Sequence, residues 1–131
     1  LGTLRATVPP LCILTSNRTR DVHDALKRRC LYHWIEHPDV DRVVRIIRSR
    51  VPGADEALAT AVAAAAARLR SLDLQKPPGT AEVIDWLRAL QVLGHATLDA
   101  DTAATTLGSV LKYKEDQEAA IAAGLRRLIG V

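Results

Sequence analysis

Residues 55–72 (DEALATAVAAAAARLRSL) place Leu58, Val62, Ala65, Leu69 and Leu72 at successive steps of four, three, four and three. That spacing returns every member to one stripe of a 3.6-residue helix. The alanine run 63–67 lets neighbouring helices approach that stripe closely. The rest of the chain points the same way, with 21 alanines among 131 residues and no Phe. The only aromatics are Tyr32, Trp34, Trp86 and Tyr113. A core of Leu, Val, Ile and Ala suits close-packed helices. A chain of 14.2 kDa makes one or two small domains, large enough to bury about two-thirds of its unfolded surface.

Other helices follow from the same period. Residues 39–50 put Val40, Val43, Val44 and Ile47 on one stripe, and Pro52-Gly53 ends it. The stretch 75–80 (QKPPGT) is a break. A helix beginning near Thr80 carries Val83, Ile84, Leu87 and Leu90 and stops near Gly94. Asp99 or Asp101 can cap the next, whose stripe is Ala104, Leu107, Val110 and Leu111. A last helix over 114–128 opens on Glu115, Asp116 and Glu118 and closes on Arg126 and Arg127, an order that complements the helix dipole.

The first 37 residues read differently. Residues 11–15 (LCILT) and 31–35 (LYHWI) are short apolar runs of the kind buried on both faces in parallel sheets. The stretch DVHDALKRR between them fits a short helix with Val22, Ala25 and Leu26 on one face. Strand, helix and strand make a β-α-β step. Two strands are too few for a stable sheet, so further strands are expected before Leu1. The sequence has no methionine, even at residue 1, and so reads as processed or shortened. The expected fold is an α/β fragment, residues 1–37, followed by an all-α part, residues 38–131.

Charge divides the chain similarly. Residues 1–50 hold ten Lys/Arg against five Asp/Glu, and the remainder holds eight against ten. A basic segment can meet nucleic acid, a nucleotide phosphate or an acidic surface. The row Arg42, Arg45, Arg48 reads equally well as a solvated helix face. No apolar run reaches the roughly 20 residues of a membrane span. LGTLRATVPP lacks the basic end and apolar stretch of a signal peptide. Cys12 and Cys30 lie in apolar segments and are expected to be buried and reduced, which fits a cytoplasmic setting. His33 and His37 stand some 13 Å apart on a strand, too far for a shared metal, so no metal site is expected.

There is no G-x-x-x-x-G-K-[ST], no G-x-G-x-x-G and no credible Ser/His/Asp set. Alone, the chain shows no complete active site. Two polar clusters remain. LTSNRTR follows a strand-like run, where α/β sheets bind ligands. There Asn17 could orient a water or touch a phosphate, or Ser16 and Asn17 could simply cap the turn. ALKRRC ends the short helix, where Arg28 and Arg29 could cap its carbonyls or reach a neighbour's γ-phosphate.

The stretch PPLCILTSNRTRDVHDALKRRCLYHWIEHPD resembles the sensor-1 to arginine-finger region of AAA+ ATPases, above all the MoxR group. Asn17 matches the polar sensor-1 residue. Arg29 aligns best with the finger, with Arg28 next. The region after Pro38 is similar to the AAA+ helical lid, and KPPGTAEVIDWLRAL to the start of its sensor-2 helix. Many MoxR proteins place an arginine in that first turn. Here it reads Pro78, Gly79, Thr80, Ala81, Glu82, and Lys76 is the nearest cation, either a substitute contact or a solvated loop residue.

The resemblance implies the end of a P-loop αβα core plus a lid bundle, with Walker A and B upstream of Leu1. ATP and Mg²⁺ would bind the full-length protein, and neither is expected on this chain alone. Asn17 would position the attacking water, and Arg29 would act across a subunit boundary in a homo-oligomeric ring, a hexamer. ATP hydrolysis would drive chaperone-like assembly or activation of a metalloenzyme-type client, with a von Willebrand A domain protein as partner. The alternative is a non-enzymatic helical module for protein or nucleic-acid interaction. It lacks an aromatic and basic stacking surface, so nucleic acid is not the expected partner.

Overall fold

The computed structural model describes residues 2–3, 5–16 and 23–130. Its contacts divide the chain between Ile35 and Glu36 into two compact units.

The second unit is a bundle of six helices, and their limits follow from caps and stripes. Helix α2 (Val40–Arg50) starts where the Asp39 carboxylate accepts from the Arg42 N–H at 2.7 Å. Helix α3 (Glu56–Arg70) starts where Asp55 accepts from the Leu58 N–H at 2.8 Å. Helix α4 (Thr80–Val92) begins at Gly79, whose N–H donates to the Glu82 carboxylate at 3.1 Å. Asp99 accepts from the Thr102 N–H at 2.8 Å and opens α5 (Ala100–Val110). Each such cap satisfies an N–H that the helix itself leaves without a partner.

Helix α3 lies at the centre. Helices α2, α4 and α7 (Leu125–Ile129) pack on it. Helix α5 pairs with α4, while α6 (Lys114–Ala123) sits against α5 and α7. The predicted stripe of α3 is the buried one, with Leu58, Val62, Ala65 and Leu69 at 3% exposure or less. Ala59, Ala63 and Ala66 are buried beside it, so the helix turns most of its circumference inward. Val43, Ile47, Val83, Leu87, Leu90, Leu107, Val110 and Leu111 complete the core around Trp86. Each of the larger aliphatic side chains contributes about 1.5–3 kcal/mol by leaving water.

Two helical expectations need correction. The inward positions of α5 are Thr102, Ala103, Thr106, Leu107 and Val110, while Ala104 is exposed. The polar Thr106 faces the core because Trp86 requires it: the indole Nε1–H donates to the Thr106 hydroxyl at 2.8 Å. The expected helix over 114–128 is two helices, broken at Gly124, where φ is +91° and ψ is 107°. That backbone conformation favours glycine, and it turns the chain so that Leu128 enters the core.

The first unit has one helix among its described residues, α1 (Asp24–Lys27). The expected α/β fragment is not formed there. Neither 11–15 nor 31–35 is a strand, and no strand occurs among the described residues. The physical reason is the one that made two strands insufficient: a ladder needs a paired neighbour for its backbone groups. The apolar side chains are correspondingly uncovered, with Leu11 91% and Leu31 104% exposed. Cys12 and Cys30 are exposed rather than buried, because none of the described residues of this unit is buried.

Candidate functional site

Asn17 lies outside the described residues. Arg28 and Arg29 follow α1, which is a single turn. The His23 imidazole Nδ1 accepts from the Ala25 N–H at 3.3 Å at one end, and Lys27 pairs with Asp24 at 3.8 Å along its side. Both interactions are exposed and contribute little. Leu26 shows 46% of its surface, so the apolar face of this turn is only partly covered.

Arg28 is the C-terminal cap, and its N–H bonds the Asp24 carbonyl at 3.0 Å. Its guanidinium has no hydrogen bond or ion pair among the described residues. The Arg29 guanidinium donates back to the Ala25 carbonyl at 3.3 Å, the capping role open to an arginine at a helix end. That bond is long and exposed, so release costs little. With Asp24 and Ala25 the two arginines line an open hollow of about 500 Å³. Such an open hollow does not enclose a ligand. It presents two guanidinium groups beside one carboxylate.

Lys76 belongs to the second unit, on the loop between α3 and α4. Leu74 and Pro78 are buried and anchor that loop, while Gln75, Lys76 and Pro77 are exposed. Three side chains grip its backbone. The Asp116 carboxylate of α6 accepts from the Gln75 N–H at 2.8 Å and the Lys76 N–H at 3.1 Å. Arg70, at the end of α3, donates from Nε to the Pro78 carbonyl at 2.7 Å. Glu82 holds the Gly79 N–H, as above. Burial pulls the Arg70 guanidinium below its usual range, and the Glu82 charge partly offsets this. Arginine stays charged at neutral pH all the same. Its Nη2 is buried without a hydrogen bond among the described residues.

Sequence reasoning missed Asp116 and Arg70. Asp116 read only as one of three acids that suit the start of the last helix, and it is 2% exposed. The available signal was the apolar flanking of the break by Leu74 and Pro78, which marks a loop pinned to the core rather than free in solvent.

Among the described residues no group of three His, Cys, Asp or Glu side chains could hold a metal ion. No helix among them is long and apolar enough to cross a membrane. Compared with protein-family models, curated protein sequences and solved structures, the chain matches none of them.

Proposed function

We propose that this chain is the C-terminal portion of a MoxR-type AAA+ ATPase, with the phosphate-binding and Mg²⁺-binding segments upstream of Leu1. The observation that carries the reading is the Arg28-Arg29 pair. It closes a one-turn helix, faces solvent, and is followed at once by the uncovered apolar run 31–35. An apolar run of that kind fits the edge of a sheet supplied by the rest of an α/β core. The helical unit beyond it has its own core, as a lid needs in order to move as a body.

In this reading the chain contributes three groups to a nucleotide held elsewhere in the full-length protein. Asn17 orients the attacking water. Arg29, with Arg28 as the next candidate, leaves its capping carbonyl and stabilises charge developing on the γ-phosphoryl group of a neighbouring subunit. Lys76 supplies a lid cation. ATP and Mg²⁺ are the cofactors, the assembly is a homo-oligomeric ring of six, and the output is chaperone-like assembly or activation of a metalloenzyme-type client alongside a von Willebrand A domain partner.

The test is steady-state ATP hydrolysis by the full-length protein. Arg29→Ala lowers kcat by about 10³ or more if the arginine acts as a finger. Asn17→Ala subunits mixed with Arg29→Ala subunits regain activity, because mixed interfaces hold both groups. Full hydrolysis by Arg29→Ala overturns the assignment.

A second reading, a non-enzymatic interaction module, is favoured by one observation. The Tyr32 and Trp34 rings stack at 5.8 Å, and both stay about half exposed, three and five residues after Arg29. This stacked pair departs from the expectation of no stacking surface, and stacked aromatics with arginines nearby in sequence suit unpaired bases. Binding of an unstructured oligonucleotide, weakened steeply by salt and lost in Trp34→Ala, would select it.

A further inference from the structure

We infer that Asp116 is a positioning residue for Lys76, tying the direction of that cation to helix α6. The inference rests on the assignment of Lys76 to the nucleotide made above.

The argument starts from the cost of the carboxylate. Asp116 is 2% exposed, and among the described residues no cation pairs with it. A buried carboxylate is retained only where hydrogen bonds and local charge replace its water. Here each oxygen has its own partner: Oδ1 takes the Gln75 N–H and Oδ2 takes the Lys76 N–H. Asp116 is also in the first turn of α6, where the helix dipole favours negative charge.

Burial of the loop does not call for this arrangement. Leu74 and Pro78 already anchor its two ends in the core. The carboxylate instead grips the two adjacent amides whose side chains are exposed. Two bonds from one rigid group fix two successive peptide planes, 74–75 and 75–76, and so restrict where the Lys76 side chain starts from the loop. Arg70 at Pro78 and Glu82 at Gly79 hold the far end of the same loop. Besides satisfying two part-buried amides, the mounting suits a cation that must meet a phosphate in one place, because a mobile donor lowers apparent affinity by the fraction of time it is misplaced.

The experiment measures the Kd of ADP with Mg²⁺ on the full-length protein, with thermal midpoints recorded alongside. Lys76→Gln raises Kd by removing the cation. Asp116→Asn keeps the shape of the side chain but turns a donor toward one of the two amides. It raises Kd about tenfold if only a tenth of the loop population remains competent. Combining it with Lys76→Gln raises Kd no further than Lys76→Gln alone. Arg70→Met, which frees the Pro78 carbonyl and leaves Asp116 in place, shifts Kd in the same direction and keeps the test open if Asp116→Asn fails to fold. If Lys76→Gln raises Kd while Asp116→Asn and Arg70→Met stay within twofold of the parent, the positioning role is wrong and the nucleotide reading stands. Additive effects of Asp116→Asn and Lys76→Gln also overturn it. If Lys76→Gln leaves Kd unchanged, the Lys76 assignment falls and this inference with it.

Discussion

Trp86 brings an indole N–H into a core made otherwise of aliphatic groups, and Thr106 resolves it. The hydroxyl accepts from Nε1 at 2.8 Å and donates its own hydrogen to the Thr102 carbonyl at 2.6 Å. The two bonds are not equivalent under mutation. Thr106→Val keeps the volume but leaves the indole donor buried and unpaired, which costs about 1–3 kcal/mol. Trp86→Phe leaves the hydroxyl still bonded to Thr102, so its cost is lost packing alone. The double variant is therefore expected to lose about 1 kcal/mol less than the sum of the two single losses. Urea unfolding of the four proteins measures this, and strict additivity would show that the hydrogen bond contributes nothing.

Asp99 adds a pH dependence at the same scale. The Thr102 backbone N–H first, then the Thr102 side chain, hold its carboxyl below the ordinary carboxylate value, and the His95 charge acts in the same direction. A depressed folded value means that the stabilisation is fully present above the unfolded carboxylate value, near pH 4. It is lost as pH falls through the lower folded value. Asp99→Asn keeps a cap but not the titration. Acid titration of helicity below about pH 4 should be shallower in Asp99→Asn than in the parent.

At the scale of the element, Gly124 decides whether the C-terminal region is one helix or two. Its φ of +91° lies where L side chains are strained, and no atom lies within 4 Å of a Cβ built there. The cost of Gly124→Ala is then backbone strain alone, about 1–3 kcal/mol. It should appear as a lower thermal midpoint with little change in helix content. If Gly124→Ala is neutral, α6 and α7 can merge without loss of the Leu128 contact. This break also marks where sequence reading ended. Periodicity placed α2 through α5 to within about two residues, and the structure starts α2, α3 and α5 one residue after Asp39, Asp55 and Asp99. A lone glycine inside a polar, alanine-rich run carries no comparable signal, since glycine is tolerated in helices at modest cost. The stripe through Ala104 does not show that Thr106 faces inward, because its partner is a tryptophan 20 residues away. Arg28 and Arg29 were singled out by residue type at a helix end, and Lys76 only through the resemblance at the start of α4. The grip on the Lys76 loop was not, because Asp116 lies 40 residues beyond it.

For the whole molecule, the two units differ in what holds them. Among the described residues, the 22 buried apolar residues of the core lie from Val43 to Leu128. In the first unit the runs 11–15 and 31–35 were legible as apolar and as too few for a sheet by themselves, while the neighbour that a ladder depends on is not described by local sequence. None of the described residues of the first unit is buried, and the denaturant slope scales with the surface exposed on unfolding. Residues 36–131 alone are therefore expected to fold with the α-helical signature of the bundle. Their urea midpoint and slope, about 1 kcal/mol/M or slightly more for a domain of this size, should coincide with those of residues 1–131. Circular dichroism during urea titration of both chains makes the comparison. A lower midpoint or a smaller slope for the shorter chain would mean that residues 1–35 bury surface in the folded state. The bundle would then not be able to move as an independent lid, and the mechanism proposed for it would fail with that result.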